Sequence, residues 1–227
     1  MSTPDRRRTE RIAVVTDEIS DDFDGALEVA TASGLTAVEV RGVGGHRVPD
    51  VPGDWVAGMR AAVDRAGVRV VGISPGLGKD GWIEDPEAAV EPSIACAVGL
   101  GAETMTFFTF PGDPRSTSDI DRAVDVLGRL AAACREAGIT PCVENAGRKC
   151  IGLHRASLFS IARRAGLRVI WDPANAFAHG DGSAARLEAA EVVLIERVHV
   201  KGHDPATGIV DLDRGPFDWG AHIDLLD

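Results

Sequence analysis

A chain of 227 residues, 44% of them apolar, can bury one sizeable core, and its four cysteines include no Cys-x-x-Cys pair, which excludes a small disulfide-stapled module. Twenty-four Lys and Arg against 35 Asp and Glu leave a net charge of −11, which disfavours nucleic acid and anionic membrane as partners. No apolar run approaches the roughly 18 residues of a membrane span, and Met1 to Arg8 lacks the apolar centre of a secretory signal, so the expected compartment is the cytoplasm, with Cys96, Cys134, Cys142 and Cys150 reduced and used for packing.

One phrase repeats along the chain: a short β-branched run, then a longer Ala-rich segment of helical period that closes near a glycine. The strand-like runs are Ile12 to Thr16, Ala37 to Arg41, Arg69 to Ser74, Thr104 to Phe110, Ile139 to Glu144, Arg168 to Asp172 and Arg197 to Lys201. Helices are expected between them, among others over Asp24 to Ser33, Asp54 to Ala66 and Ser118 to Ala137, the last capped by Ser118 with Asp121 three residues on. Gly67, Gly138 and Gly166 are placed to close their helices in the left-handed conformation. The last helix is expected over Phe217 to Asp227.

Strand starts are 25 to 35 residues apart, the length of a βαβ unit. Polar residues end several strands and no Gly-x-Gly-x-x-Gly follows the first, which favours a (β/α)8 TIM barrel over an open doubly wound sheet. By this spacing an eighth strand would start beyond Asp227, so the expectation is an α/β barrel lacking its last strand and helix, with residues 1–10 as a disordered tail and 11–227 as the barrel domain.

Three consecutive strands close on ionisable side chains: Glu144 before Asn145, Asp172 before Pro173, and His199 with Lys201. Two carboxylates about 4 Å apart at an effective dielectric of about 20 repel by roughly 4 kcal/mol, so a proton, a basic side chain such as Lys201 or Arg41, or a divalent cation must compensate. With the His199 imidazole, the set suits Mn2+, Mg2+, Co2+ or Zn2+ and leaves room for substrate oxygens. The structural alternatives are a Glu144 bound to its following loop, an Asp172 that caps the next turn, and a His199 satisfied in the core. Phe108, Phe110, Trp171 and Phe177 are expected as packing at the strand ends, with walls of a substrate pocket as the alternative. Gly42 to Arg47 reads as a flexible loop, with phosphate binding as the weaker alternative.

From Ile12 to about Trp219 the chain resembles the xylose isomerase-like TIM barrel superfamily, in particular its sugar phosphate isomerase/epimerase family. The resemblance is carried by Glu39-Val40-Arg41, Glu144-Asn145, Trp171-Asp172-Pro173-Ala174-Asn175, His199-Val200-Lys201, and Gly215 with Phe217-Asp218-Trp219. It implies a divalent metal held by Glu144, Asp172 and His199, together with a glutamate ending an eighth strand, which these 227 residues do not include. Glu144 would be ligand and base, and Lys201 would stabilise the enediolate oxygen or bind a substrate anion. Glu39 and Arg41, which alternation puts on one face of the second strand, are expected either as a structural ion pair or as contacts to substrate hydroxyls, and Asn175 would meet a substrate hydroxyl. The family's His-x-Lys runs directly into Asp, whereas here Gly202 and His203 intervene before Asp204; either His203 or Asp204 could be a ligand, ranked below His199.

The implied activity is a metal-dependent isomerase or epimerase of a small sugar, polyol or sugar phosphate. The alternatives are an inosose dehydratase-like lyase and a catalytically silent sugar-binding barrel. The expected partner is a small carbohydrate, with homo-oligomerisation open because an incomplete barrel exposes strand edges.

Overall fold

The computed structural model describes residues 11–145, 150–181, 186–204, 206–215 and 217–225. The expected tail and the ends of the Glu144 run (Ala146 and Gly147) and of the last helix (Leu226 and Asp227) lie outside these residues. The elements in chain order are β1 (Val14–Val15), α1 (Phe23–Ala32), β2 (Ala37–Val40), β3 (Gly42–Val43), β4 (His46–Arg47), α2 (Trp55–Ala66), β5 (Arg69–Ile73), α3 (Pro86–Leu100), β6 (Thr104–Phe108), α4 (Thr117–Glu136), β7 (Thr140–Glu144), α5 (Arg155–Ala165), β8 (Arg168–Trp171), α6 (Pro173–Ala178), α7 (Ala189–Val192), β9 (Ile195–Val198), β10 (Gly202–Asp204), β11 (Gly208–Val210) and α8 (Trp219–Asp224). The parallel ladder follows the chain, β1-β2-β5-β6-β7-β8-β9, which is the βα repetition expected.

The chain divides into two compact units: residues 1–76, 87–106 and 133–140, and residues 77–86, 107–132 and 141–227. In the first, β1 pairs β2 and β2 pairs β5, all in parallel. Strand β2 is buried on both faces, which suits its Ala-Val-Glu-Val composition and places the Glu39 side chain in the interior. Helix α1 starts one residue earlier than expected because the Asp22 carboxylate accepts the Gly25 N–H at 3.3 Å. Gly67, at φ 65°, closes α2. The segment Gly42 to Arg47 is an antiparallel hairpin, β3 with β4, rather than a loose loop. Gly44 and Gly45 at φ 56° and 77° supply the two positive-φ positions that such a tight turn demands.

In the second unit, β7, β8 and β9 pair in parallel. Helix α4 begins at Thr117, not Ser118, and its cap is Ser116, whose hydroxyl accepts the Asp119 N–H at 3.2 Å. The Ser-x-x-Asp pattern occurs in two frames, and the earlier frame frees Asp121 to pair with Arg164 at 2.6 Å. Strand β9 starts at Ile195, two residues before the expected run, because the Val169 N–H already bonds to the Leu194 carbonyl. The ladder therefore ends at Val198, and His199 and Lys201 lie just past it rather than within it. All four cysteines are buried and outside any disulfide, in line with a packing role.

Candidate metal centre

Strand β7 delivers Glu144 at its last position and Asn145 immediately after it. Asn145 is fully buried and its amide bonds both ways to the main chain of Asp172: Nδ2 donates to the Asp172 carbonyl at 2.7 Å, and Oδ1 accepts the Asp172 N–H at 2.9 Å. The adjacent strand end is thereby held by a side chain where no ladder bond is available. Asp172 caps α6 through Oδ1, which accepts the Asn175 N–H at 2.8 Å, with Pro173 at the first helical position. The capping alternative is thus present, and it leaves Oδ2 for Lys201, whose Nζ is 2.7 Å away.

His199 reaches the same place because its N–H bonds to the Trp171 carbonyl at 2.9 Å, which ties it to the end of β8 just beyond the last strand residue of β9. Its Nδ1 lies 3.1 Å from Glu144 Oε1. Glu144, Asp172 and His199 each offer a donor atom within 4.8 Å of the other two. Asp172 is about 1% exposed. Burial pushes its carboxyl pKa up, the Lys201 ammonium pulls it back, and the nearby Glu144 charge pushes it up again, for a net rise. Each carboxylate thus faces one basic group, and the predicted like-charge problem is met at close range by His199 and Lys201.

The donor set fits a divalent ion: two carboxylates and one imidazole, converging from three neighbouring strand ends, with the buried carboxylate disfavoured as a bare charge. Among the described residues the cluster includes neither His203 nor Asp204. Asp204 turns its carboxylate onto its own hairpin, accepting the N–H groups of Ala206 and Thr207, each at 2.9 Å, which explains why the two-residue insertion after Lys201 diverts it. Gly202 starts that hairpin, packed so closely on β11 that a Cβ would fall 2.3 Å from the Val210 carbonyl oxygen.

Asn175 is brought to the cluster, but its amide is engaged: Oδ1 accepts Lys201 Nζ at 2.6 Å and Nδ2 donates to the Asn145 carbonyl at 2.9 Å. Glu39 and Arg41 belong to the first unit, where the Arg41 guanidinium pairs with Asp17 and Glu18, both at 2.8 Å. Asp17 and Glu18 follow β1 and were not singled out by the sequence; acidic residues ending the first strand were the available signal. Asn145 stands in the sequence only beside Glu144 in the family pattern, and its bonding to Asp172 follows from the pairing of β7 with β8. Trp171 is buried with its ring against Phe159, and the half-buried Phe177 ring meets Phe217 edge-on.

No curated protein matches the chain. Solved structures with the same fold include a xylose isomerase domain protein from Planctomyces limnophilus, 18% identical, TM-score 0.73, covering 96% of this chain and 86% of that one. A probable 3-DHS dehydratase involved in petrobactin synthesis from Bacillus anthracis is 12% identical, TM-score 0.76, with 94% and 88% covered. A 3-keto-D-glucoside 4-epimerase from E. coli is 16% identical, TM-score 0.68, with 96% and 87% covered. The profile of one family matches residues 27–227, and by that match the chain belongs to the xylose isomerase-like TIM barrel family.

Proposed function

We propose that the chain is a divalent-metal-dependent isomerase or epimerase of a small sugar, polyol or sugar phosphate, working by proton transfer next to a carbonyl. The observation that carries this is the convergence of Glu144, Asp172 and His199, with Lys201 2.7 Å from Asp172. Glu144, Asp172 and His199 would hold the ion. A bound divalent cation polarises a hydroxy-ketone carbonyl and makes the neighbouring C–H more acidic. Glu144 serves as the base that takes that proton and returns it to the adjacent carbon or to the same one. His199 Nδ1, 3.1 Å from Glu144 Oε1, holds the carboxylate in place. Lys201, steadied by Asp172 and Asn175, presents an ammonium to oxygen that gains negative charge during the transfer. Asn145 keeps Asp172 in register.

Lys201 also carries a proton that a departing β-hydroxyl could accept, so elimination of water is the second reading. Incubation of the Mn2+-loaded chain with a panel of ketoses and inososes in D2O separates the two. Solvent deuterium entering next to the carbonyl at unchanged carbon skeleton and oxygen count is expected for isomerisation. A loss of 18 mass units assigns the lyase, and absence of both with every compound and metal overturns the proposal.

A further inference from the structure

Both oxygens of Asp172 are engaged. Oδ1 accepts the Asn175 N–H at 2.8 Å as the cap of α6, and Oδ2 lies 2.7 Å from Lys201 Nζ. Asp172 can therefore become a metal ligand only by sharing or releasing one of these partners. The two differ in freedom. The Asn175 N–H is main chain in the first turn of α6, behind Pro173, and cannot leave without opening the helix. Lys201 Nζ ends a flexible four-carbon stem whose side chain is 32% exposed, so the ammonium is the partner that can yield.

The charges of the centre favour that outcome. Glu144 and Asp172 bring two carboxylates; His199 meets the first at 3.1 Å and Lys201 the second at 2.7 Å. A divalent ion carries the charge of both carboxylates by itself, which leaves the ammonium in surplus. Two cations on one carboxylate repel, and Asp172 is so deeply buried that water screens them little.

Lys201 has a second acceptor to remain on. Asn175 Oδ1 lies 2.6 Å from Nζ, and that amide is itself anchored, since Nδ2 donates to the carbonyl of the fully buried Asn145 at 2.9 Å. The Trp219 indole N–H, 3.1 Å from the Lys201 carbonyl, holds the main chain of the lysine independently of either acceptor. A carboxylate neutralises an ammonium, whereas a neutral amide directs it and leaves its charge available.

We infer that Lys201 is a displaceable counter-ion of the centre: its ammonium and a divalent ion compete for Asp172, and Asn175 is the positioning residue that keeps the displaced ammonium at the site. Ion binding then converts a neutralised lysine into one free to meet a negatively charged substrate oxygen. That use of Lys201 rests on the hydroxy-ketone reading above; the competition does not.

The full chain contains three lysines, Lys79, Lys149 and Lys201, so lysine-selective 13C labelling gives three ε-methylene signals, with that of Lys201 assigned by its loss in Lys201→Met. The probe is Mg2+ alone, with Zn2+ as a second ion. Saturation is expected to shift the wild-type Lys201 signal and lower its order parameter, and to lower it further in Asn175→Ala. By calorimetric titration Lys201→Met is expected to bind the ion about tenfold or more tightly than wild type, and Lys201→Arg, which keeps the charge, to show no such gain. A Lys201 signal that keeps its order parameter in the ion-loaded wild type, or an affinity of Lys201→Met no higher than wild type, overturns the competition. An ion-loaded Asn175→Ala whose Lys201 is as ordered as in wild type overturns the positioning role, and failure of every form to bind either ion overturns both. Displacement without deuterium exchange or water loss in any sugar leaves the inference standing and strikes the proposed reaction alone.

Discussion

Asn145 shows how much one side chain can contribute to a centre without offering a ligand atom of its own. Its amide satisfies both the N–H and the carbonyl of Asp172 in a fully buried setting. Replacing it with alanine strands the Asp172 N–H, at a cost of about 1–3 kcal/mol where water cannot reach it, while the Asp172 carbonyl keeps the Ala176 N–H at 3.3 Å. Asn145→Ala is therefore expected to lower stability by about 1–3 kcal/mol and to weaken Mn2+ binding about 10- to 100-fold, checked by urea denaturation and by metal titration of the folded variant. His222 is the opposite case, a side chain 1% exposed between Phe217 and Trp219, with neither ring nitrogen bonded among the described residues. Burial lowers its pKa from the usual 6.5. The unfolded chain then binds the proton more readily than the folded one, so stability holds above the unfolded-state value and declines as pH falls through that value toward the lowered one. His222→Phe is expected to shrink the difference between melting temperatures at pH 7.5 and pH 5.5; an unchanged difference would place the acid sensitivity elsewhere.

The β10–β11 hairpin explains the interruption of the His-x-Lys-Asp pattern. Its first residue, Gly202, adjoins Lys201, and the Lys201 carbonyl accepts the Trp219 indole N–H at 3.1 Å, so the hairpin and α8 hold that lysine from two sides. A methyl group at Gly202 would collide with the carbonyls of Val210 and Asp211, which cannot yield without opening the ladder. Gly202→Ala is expected to cut turnover at least tenfold while costing about 1–3 kcal/mol of stability, measured by initial rates and thermal melts side by side. The strand ends themselves were readable: Glu144, Asp172 and His199 were each placed by a short apolar run meeting a polar residue. What could not be read was register. The sequence Val198-His199-Val200-Lys201 alternates as a strand would, yet the ladder ends at Val198, and only pairing with β8 decides that. The cap of α4 failed for a related reason, because two serines offered the same local chemistry and tertiary pairing of Asp121 chose between them.

For the molecule as a whole, the repeat length and the order of strand-end residues made the family legible, and the family match over residues 27–227 agrees. The partners of Arg41 were not legible, since a guanidinium can pair with any nearby carboxylate and the chain has 35 acidic residues. A cation that binds the folded cluster and not the unfolded chain stabilises by mass action, by about 2.7 kcal/mol at a concentration 100 times its dissociation constant. Mn2+ is accordingly expected to raise the melting temperature in a saturable way, chelator to reverse it, and Asp172→Asn to abolish most of the response, read by scanning calorimetry.

The thiols carry a practical consequence. Cys96, Cys134, Cys142 and Cys150 are all buried. Desolvation raises the Cys96 and Cys134 pKa values to about 11 and about 12, and that of Cys150 upward as well. Maleimide dyes attack the thiolate and need access to it, so the native protein should take up almost none at neutral pH. A single cysteine engineered onto the surface would then accept a fluorophore or spin label selectively, with no need to strip the natural ones away first.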